Sequence, residues 1–359
     1  MRKQIAHTSA LVAACAALGL GGVAQALPFG PQGPKSVEFQ PDRPGEAGAH
    51  FSSTQLEGLK GMRRVVVPQF QVEYVMRSQG LTRKERNQVT VEYAIAGIGD
   101  AALQTETDKL YARFMAGLQA AGLEVVTDEN LKKTQAWSKL AAVSKPSATE
   151  LKSESGAARM ITAAGSPYYF YPGDTHLGVS AVGWGFTQAN MIEQTLSKEL
   201  DAAVLTVHLV VGIRETDKHS QMFALVRTAS SFIGDPKLTI EAPSSALYVV
   251  AAGKTGGVIK PTVRAGWTVK DDLLFHEDVL APTLKNASGV SSTAGNVLSS
   301  AMFAGNILAN MAGGGIGMKL YKSYKFESSP AEADYVAAVD RNLSGVQDAM
   351  LAQLAAAIR

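Results

Sequence analysis

The sequence predicts an α/β or α+β fold: a mixed central sheet with flanking helices and a long C-terminal amphipathic helix. Three observations carry this. Residues 63–75 (RRVVVPQFQVEYV) are dense in β-branched side chains, which suit a pleated, half-buried surface. Residues 202–213 (AAVLTVHLVVGI) are apolar on both faces, as a strand buried at the centre of a sheet must be. At the C-terminus, Val336, Val339, Leu343, Val346, Met350, Leu354 and Ile358 recur at spacings of three and four, which gathers them into one seam on a long helix.

The elements follow in chain order. Arg2 and Lys3 precede an uncharged stretch over 9–24 that ends in Ala24-Gln25-Ala26, the small-x-small pattern of a signal-peptidase site. Cleavage is expected between Ala26 and Leu27, which sends the mature chain to the periplasm or the medium. The alternative is a lipobox, Val12-Ala13-Ala14-Cys15, which would make the chain a lipoprotein held at the outer membrane through Cys15. Cys15 is the sole cysteine, so no internal disulfide is expected and buried area must supply stability. The leader holds two of the 34 basic residues and none of the 32 acidic ones, so the mature chain is electrically balanced. Nothing in that balance favours nucleic acid or an anionic membrane surface.

Residues 27–55 read as a Pro/Gly-rich linker, and 56–359 as an α/β envelope domain with a subdivision near 145–175. After the strand at 63–75, a second strand is expected over 89–96 (VTVEYAIA). A helix over 101–121 carries Leu103, Leu110, Phe114 and Leu118 at helical spacing and stops at Gly122. A short strand at 123–126 leads to a helix capped by Thr127 or Asp128 and running to about 143. Residues 144–156 read as polar loop and 157–164 as a short helix. A helix over 187–200 delivers the chain to the strand at 202–213. Further strands are expected within 221–227, 238–242, 246–252, 258–269 and 319–327. Ser329-Pro330-Ala331-Glu332 has the form of a capping box that opens the last helix, with proline at its first position.

No motif points to a catalytic residue, a cofactor or a metal. Gly97-Ile98-Gly99-Asp100-Ala101-Ala102 lies between strand and helix like a dinucleotide fingerprint, with Asp128 after the next strand, but tight-turn glycines explain it more simply. Gly253-Lys254-Thr255 resembles a phosphate loop, yet its first glycine position is Tyr248, which blocks the backbone approach that loop requires. Asp271, Asp272, His276, Glu277 and Asp278 form the densest group of metal-type ligands, without the i, i+4 histidine pair of a helical site. His208 reads as a hydrogen-bonded histidine within the sheet. The aromatics Tyr168, Tyr169 and Tyr171, with Trp184, are candidate ligand contacts. Residues 286–318 carry no charge, and within them Ala301, Gly305, Ala309 and Gly313 recur every fourth position, a smooth stripe and a candidate interface.

The order of elements resembles one family. The run VVVPQF at 65–70, a long helix, then LEVVTDENL at 123–131 as strand into capped helix, is similar to the amino-terminal pattern of CsgG-like curli-secretion proteins and TolB-type envelope domains. Residues 190–213, a helix running into LDAAVLTV, are similar to that family's later helix–strand step. The chain departs from the pattern by inserting residues 76–96 between first strand and helix. The resemblance implies a non-enzymatic envelope component that assembles with copies of itself or with other envelope proteins in secretion. It carries no functional residue over, and it leaves membrane association open. A periplasmic binding protein for a small apolar or glycan ligand is the alternative, resting on the aromatics, and an exported hydrolase with a dispersed site is the third.

Overall fold

A computed structural model describes residues 35–84, 87–144, 147–153, 156–166, 186–215, 236–250, 265–288 and 321–359. From Ser36 onward these form one compact unit. The fold is mixed α/β. Its elements begin with β1 (Ser36–Glu38), α1 (Pro44–Ala47), β2 (Phe51–Thr54), β3 (Arg64–Lys84), β4 (Asn87–Ile95), α2 (Asp100–Ala120), β5 (Glu124–Val125), α3 (Asp128–Lys132) and α4 (Gln135–Val143). They continue through β6 (Thr149–Ser153), β7 (Gly156–Thr162), α5 (Phe186–Leu200), β8 (Ala203–Glu215), β9 (Pro236–Ile240), β10 (Ala246–Val250), β11 (Ala265–Val269), β12 (Asp272–Leu274), β13 (Thr283–Ser288), β14 (Tyr321–Ser328) and α6 (Glu332–Ile358).

All fourteen strands join one sheet, with the order β1-β12-β9-β8-β3-β4-β14-β13 along its main path. The long strand β3 is the hub. Its first half runs parallel to β8, its middle runs antiparallel to β7, and its last eight residues pair with β4 in a hairpin. β4 runs parallel to β14, and β14 antiparallel to β13. Beyond Ser78, β3 has no strand neighbour other than β4 among the described residues, and β13 has none other than β14. β4 leads directly into α2 and β14 directly into α6, so two parallel strands send two helices back across the same face.

That face holds the main core. Phe70, Val72 and Tyr74 of β3 and Leu205, Val207, Leu209 and Val211 of β8 alternate inward with exposures near zero. They meet Leu103, Leu110, Phe114 and Leu118 of α2 and Val339, Leu343, Val346, Met350 and Leu354 of α6. Full burial of such side chains stabilises by roughly 1.5–3 kcal/mol each relative to exposure. Gly122 ends α2 in the left-handed conformation (φ +83°), where a Cβ would be strained.

Several elements differ from the sequence reading. The expected single helix to 143 is two, because Thr134 makes a second cap: Thr127 Oγ1 accepts from the Asn130 amide and Thr134 Oγ1 from the Trp137 amide. The expected loop at 144–156 contains β6, and the expected helix at 157–164 is β7. Its alanines and methionine favour a helix in isolation, but β7 lies between β3 and β6 and every residue except Arg159 is buried. The capping box does not form. Ala331 is the N-cap, and Glu332 Oε2 instead accepts from the Gly99 amide at the start of α2, tying the two helix starts together.

The largest difference is at the amino end. Residues from Ser36 to Thr54, read as linker, are docked. β1 pairs with β12, β2 pairs with β11, and between them the chain crosses α6 as a strap. Phe39 is 3% exposed; Asp42 pairs with Arg341, and Gly48 O accepts from Gln353 Nε2. The strap meets α6 at Gly345, whose missing Cβ leaves room for Pro41, and at Arg341 and Gln353, while Asn342 donates to Glu277.

Candidate functional site

The opposite face of β3 and β8 is polar where a central sheet face should be apolar. Along β3, Gln69, Gln71 and Glu73 alternate with Phe70, Val72 and Tyr74. The parallel register sets Gln69 beside Thr206 and Gln71 beside His208. On the flanks, Thr162 of β7 pairs with Gln71, and Ala246 and Tyr248 of β10 pair with His208 and Thr206. Gln69, Gln71, Glu73, Thr206 and His208 are all 4% exposed or less. Helix α5 reaches this face with Glu193, whose Oε1 accepts from Thr206 Oγ1 at 3.0 Å. Apolar clusters bracket the row: Val66, Leu196, Leu200 and Val204 at one end, and Val75, Ala158, Met160 and Val210 at the other.

At the centre His208 Nε2 stands 3.3 Å from Glu73 Oε2, a buried imidazole–carboxylate pair. Gln71 Oε1 and His208 Nδ1 have no hydrogen-bond partner among the described residues. A buried acceptor left unmade costs about 1–3 kcal/mol, so the row opposes the stability supplied by the other face. An imidazole beside a carboxylate can move a proton. The hydroxyl next to it in the register, Thr206, donates to Glu193.

A second buried charge group lies where β8, β9 and β12 meet. Arg214 Nε is 2.8 Å from Asp272 Oδ2, and its Nη2 lies 3.9 Å from Glu241 Oε2. Asp272 Oδ1 also accepts from the Ala242 amide. Burial pushes the Asp272 carboxyl above its ordinary value, and Arg214 opposes that rise. Glu241 lies so close over Gly212 that any Cβ there would collide with its carboxylate.

The acidic–imidazole group singled out in the sequence is dispersed. Asp271 pairs with His50, Asp272 with Arg214, Glu277 with Arg341 and Asn342, and Asp278 with Lys237. No group of three or more metal-type ligands converges among the described residues. The Gly97–Ala102 motif is a turn into α2, with Gly97 at φ +86° and Gly99 as N-cap. Ala26, Leu27, Tyr168, Tyr169, Tyr171, Trp184, Lys254, Ala301, Gly305, Ala309 and Gly313 lie outside the described residues. No helix among the described residues is long and apolar enough to cross a membrane. The polar row was missed as a group, although its signal is in QFQVEY: three polar residues at i, i+2 and i+4 inside a strand whose alternate positions are core.

No family model, no curated protein and no solved structure matches the chain.

Proposed function

We propose that this chain is an exported, non-enzymatic cell-envelope component that acts by assembling with copies of itself or with other envelope proteins. The observation that supports the reading is the pair of edges in the β3-β4-β14-β13 layer that have no strand neighbour among the described residues. β13 bounds it on one side, and the six residues of β3 from Gln79 to Lys84 bound it on the other. An edge with unpaired amides and carbonyls is a template for another strand. Two such edges, on opposite sides of one layer, suit a head-to-tail interface that repeats from copy to copy. The resemblance to CsgG-like envelope proteins points the same way, as does the leader.

The test is native mass of the mature protein at micromolar concentration. An oligomer is expected, and proline at Arg83, whose N–H faces away from β4 in the hairpin register, should reduce it to monomer with helical circular dichroism intact. A wild type that is monomeric under these conditions overturns the reading. The amino-terminal peptide of envelope-derived protein tests the export step: Leu27 is expected, and lipid-modified Cys15 would favour the lipoprotein alternative. A second reading, a binding protein for a small ligand, is favoured by the unpaired acceptors of Gln71 and His208. Their polarity suits a glycan hydroxyl better than an apolar ligand. Thermal stabilisation by a glycan panel, lost in Gln71→Leu, would support it.

A further inference from the structure

Helices α2 and α6 pack along a seam that carries an unusual grouping of charge. Glu106 of α2 is 3% exposed, and its Oε1 has no hydrogen-bond partner among the described residues. Its neighbour across the seam is another carboxylate, Asp340 of α6, within hydrogen-bonding reach. Asp340 in turn receives Lys109 Nζ at 2.6 Å and, from its own helix, Ser344 Oγ at 3.4 Å. Two turns along, Arg113 grips Asp348 through Nε and Nη2. Beneath Glu106, β3 contributes Tyr74, whose hydroxyl is 3.0 Å from Thr107 Oγ1, and α6 contributes the buried Tyr335. The other charges of the packed elements are engaged elsewhere: Arg159 of β7 with Asp100 and Glu150, Glu124 of β5 with Arg64, and Arg341 of α6 with Asp42 and Glu277. Asp340 thus feels both Lys109 and Arg113, while Lys109 is the one cation among the described residues that acts on Glu106.

We propose that the α2–α6 seam is a proton-operated latch, closed when Glu106 and Asp340 share a proton and loosened when both carboxylates are charged. With the proton in place, Glu106 donates to Asp340, which keeps its ion pair with Lys109, and the seam holds a neutral group where it is driest. Without it, two negative charges meet with Glu106 buried and Asp340 only partly open to solvent. Burial, then the nearness of Asp340, pushes the Glu106 carboxyl up to about 7, so the change falls in the neutral range. The sign follows from linkage. The folded state holds a proton that the unfolded chain releases near the ordinary carboxyl value, so this group's penalty is absent at low pH and grows as pH rises through about 7. Because α2 continues from β4 and α6 from β14, loosening the seam acts on the two parallel strands at the middle of the hairpin layer. The latch stands whether or not that layer assembles.

The experiment compares wild type with Glu106→Gln, whose amide keeps the shape and donor of the protonated acid but cannot ionise. Urea unfolding between pH 6 and 8 should show the wild-type folding constant falling about tenfold relative to the variant. Titration of histidines elsewhere is common to both proteins and cancels. Hydrogen exchange, corrected for intrinsic rates, should show α2 and α6 amides losing protection at pH 8 in wild type and keeping it in Glu106→Gln. Asp340→Asn, which removes the opposing charge by another route, should also flatten the profile. Parallel pH profiles for wild type and Glu106→Gln, or pH-independent protection of both helices, overturn the proposal.

Discussion

Gly345→Ala tests the docked strap, the feature least expected from the sequence. Gly345 lies in the middle of α6, where alanine should by propensity add about 1 kcal/mol. Packing says the opposite. A Cβ there would stand 2.8 Å from Pro41 Cα and O and 2.9 Å from Pro41 Cβ, so backbone, not a flexible side-chain end, must move. Overpacking of that kind costs roughly 1–3 kcal/mol. If the strap lifts instead, Phe39 loses burial worth about 1.5–3 kcal/mol, while the exposed Arg341–Asp42 pair adds little. Either route cancels the helix gain or exceeds it, so a net loss of about 0–2 kcal/mol is expected in place of a gain of about 1 kcal/mol. Urea unfolding reads it as a lower midpoint at unchanged slope. Limited proteolysis between Arg43 and Ala49 should accelerate, because that segment loses its support. Gly117→Ala is the control: its Cβ meets only the side-chain end of Leu351, which can rotate, so the loss should be smaller. A Gly345→Ala protein about 1 kcal/mol more stable than wild type, with no new cleavage, would refute the strap packing.

The remaining predictions concern buried polar groups. Tyr335→Phe should raise stability by about 1 kcal/mol, because the hydroxyl is fully buried without a hydrogen-bond partner among the described residues; a lower urea midpoint would show that the hydroxyl has a stabilising role. His208→Leu should cost about 1–3 kcal/mol by removing one partner of a buried imidazole–carboxylate pair. The double change Glu73→Leu with His208→Leu should recover most of that loss, and additive losses in the cycle would mean the two groups are not coupled.

Legibility varied with how local the cause was. The long helices α2 and α6 and the strands β3, β4 and β8 were readable because their side-chain periods are strong and their stops, such as Gly122, are local. β7 was not, because its Ala and Met content favours helix and only its position between β3 and β6 overrides that. The strap was hidden for a related reason. Five prolines and four glycines between 27 and 48 describe a chain that cannot make regular structure alone, and composition does not say that a neighbouring helix will hold it. The capping box failed because Glu332 found a partner 233 residues away, at Gly99. The polar row was half visible. The alternation in QFQVEY is in the sequence, but that Gln71 faces His208 depends on a parallel pairing across more than a hundred residues.

The two faces of β3 and β8 set the balance of this fold. The face under α2 and α6 is continuous apolar packing, and it extends over the strands that lead into those helices. The reverse face gives up that advantage at Gln69, Gln71, Glu73, Thr206 and His208, although the neighbouring Val66, Val75, Val204 and Val210 show that aliphatic side chains fit the same surface. Local pattern and burial disagree there and agree nearly everywhere else, which is where a functional constraint is to be sought. The edges without a strand neighbour among the described residues are a different departure from self-sufficiency. The β3 edge lies toward the end of the hairpin with β4, while β13 pairs with β14 from Ser323 to Glu327, beside the end from which α6 leaves. The proposed assembly edges and the polar row thus lie on separate parts of the sheet.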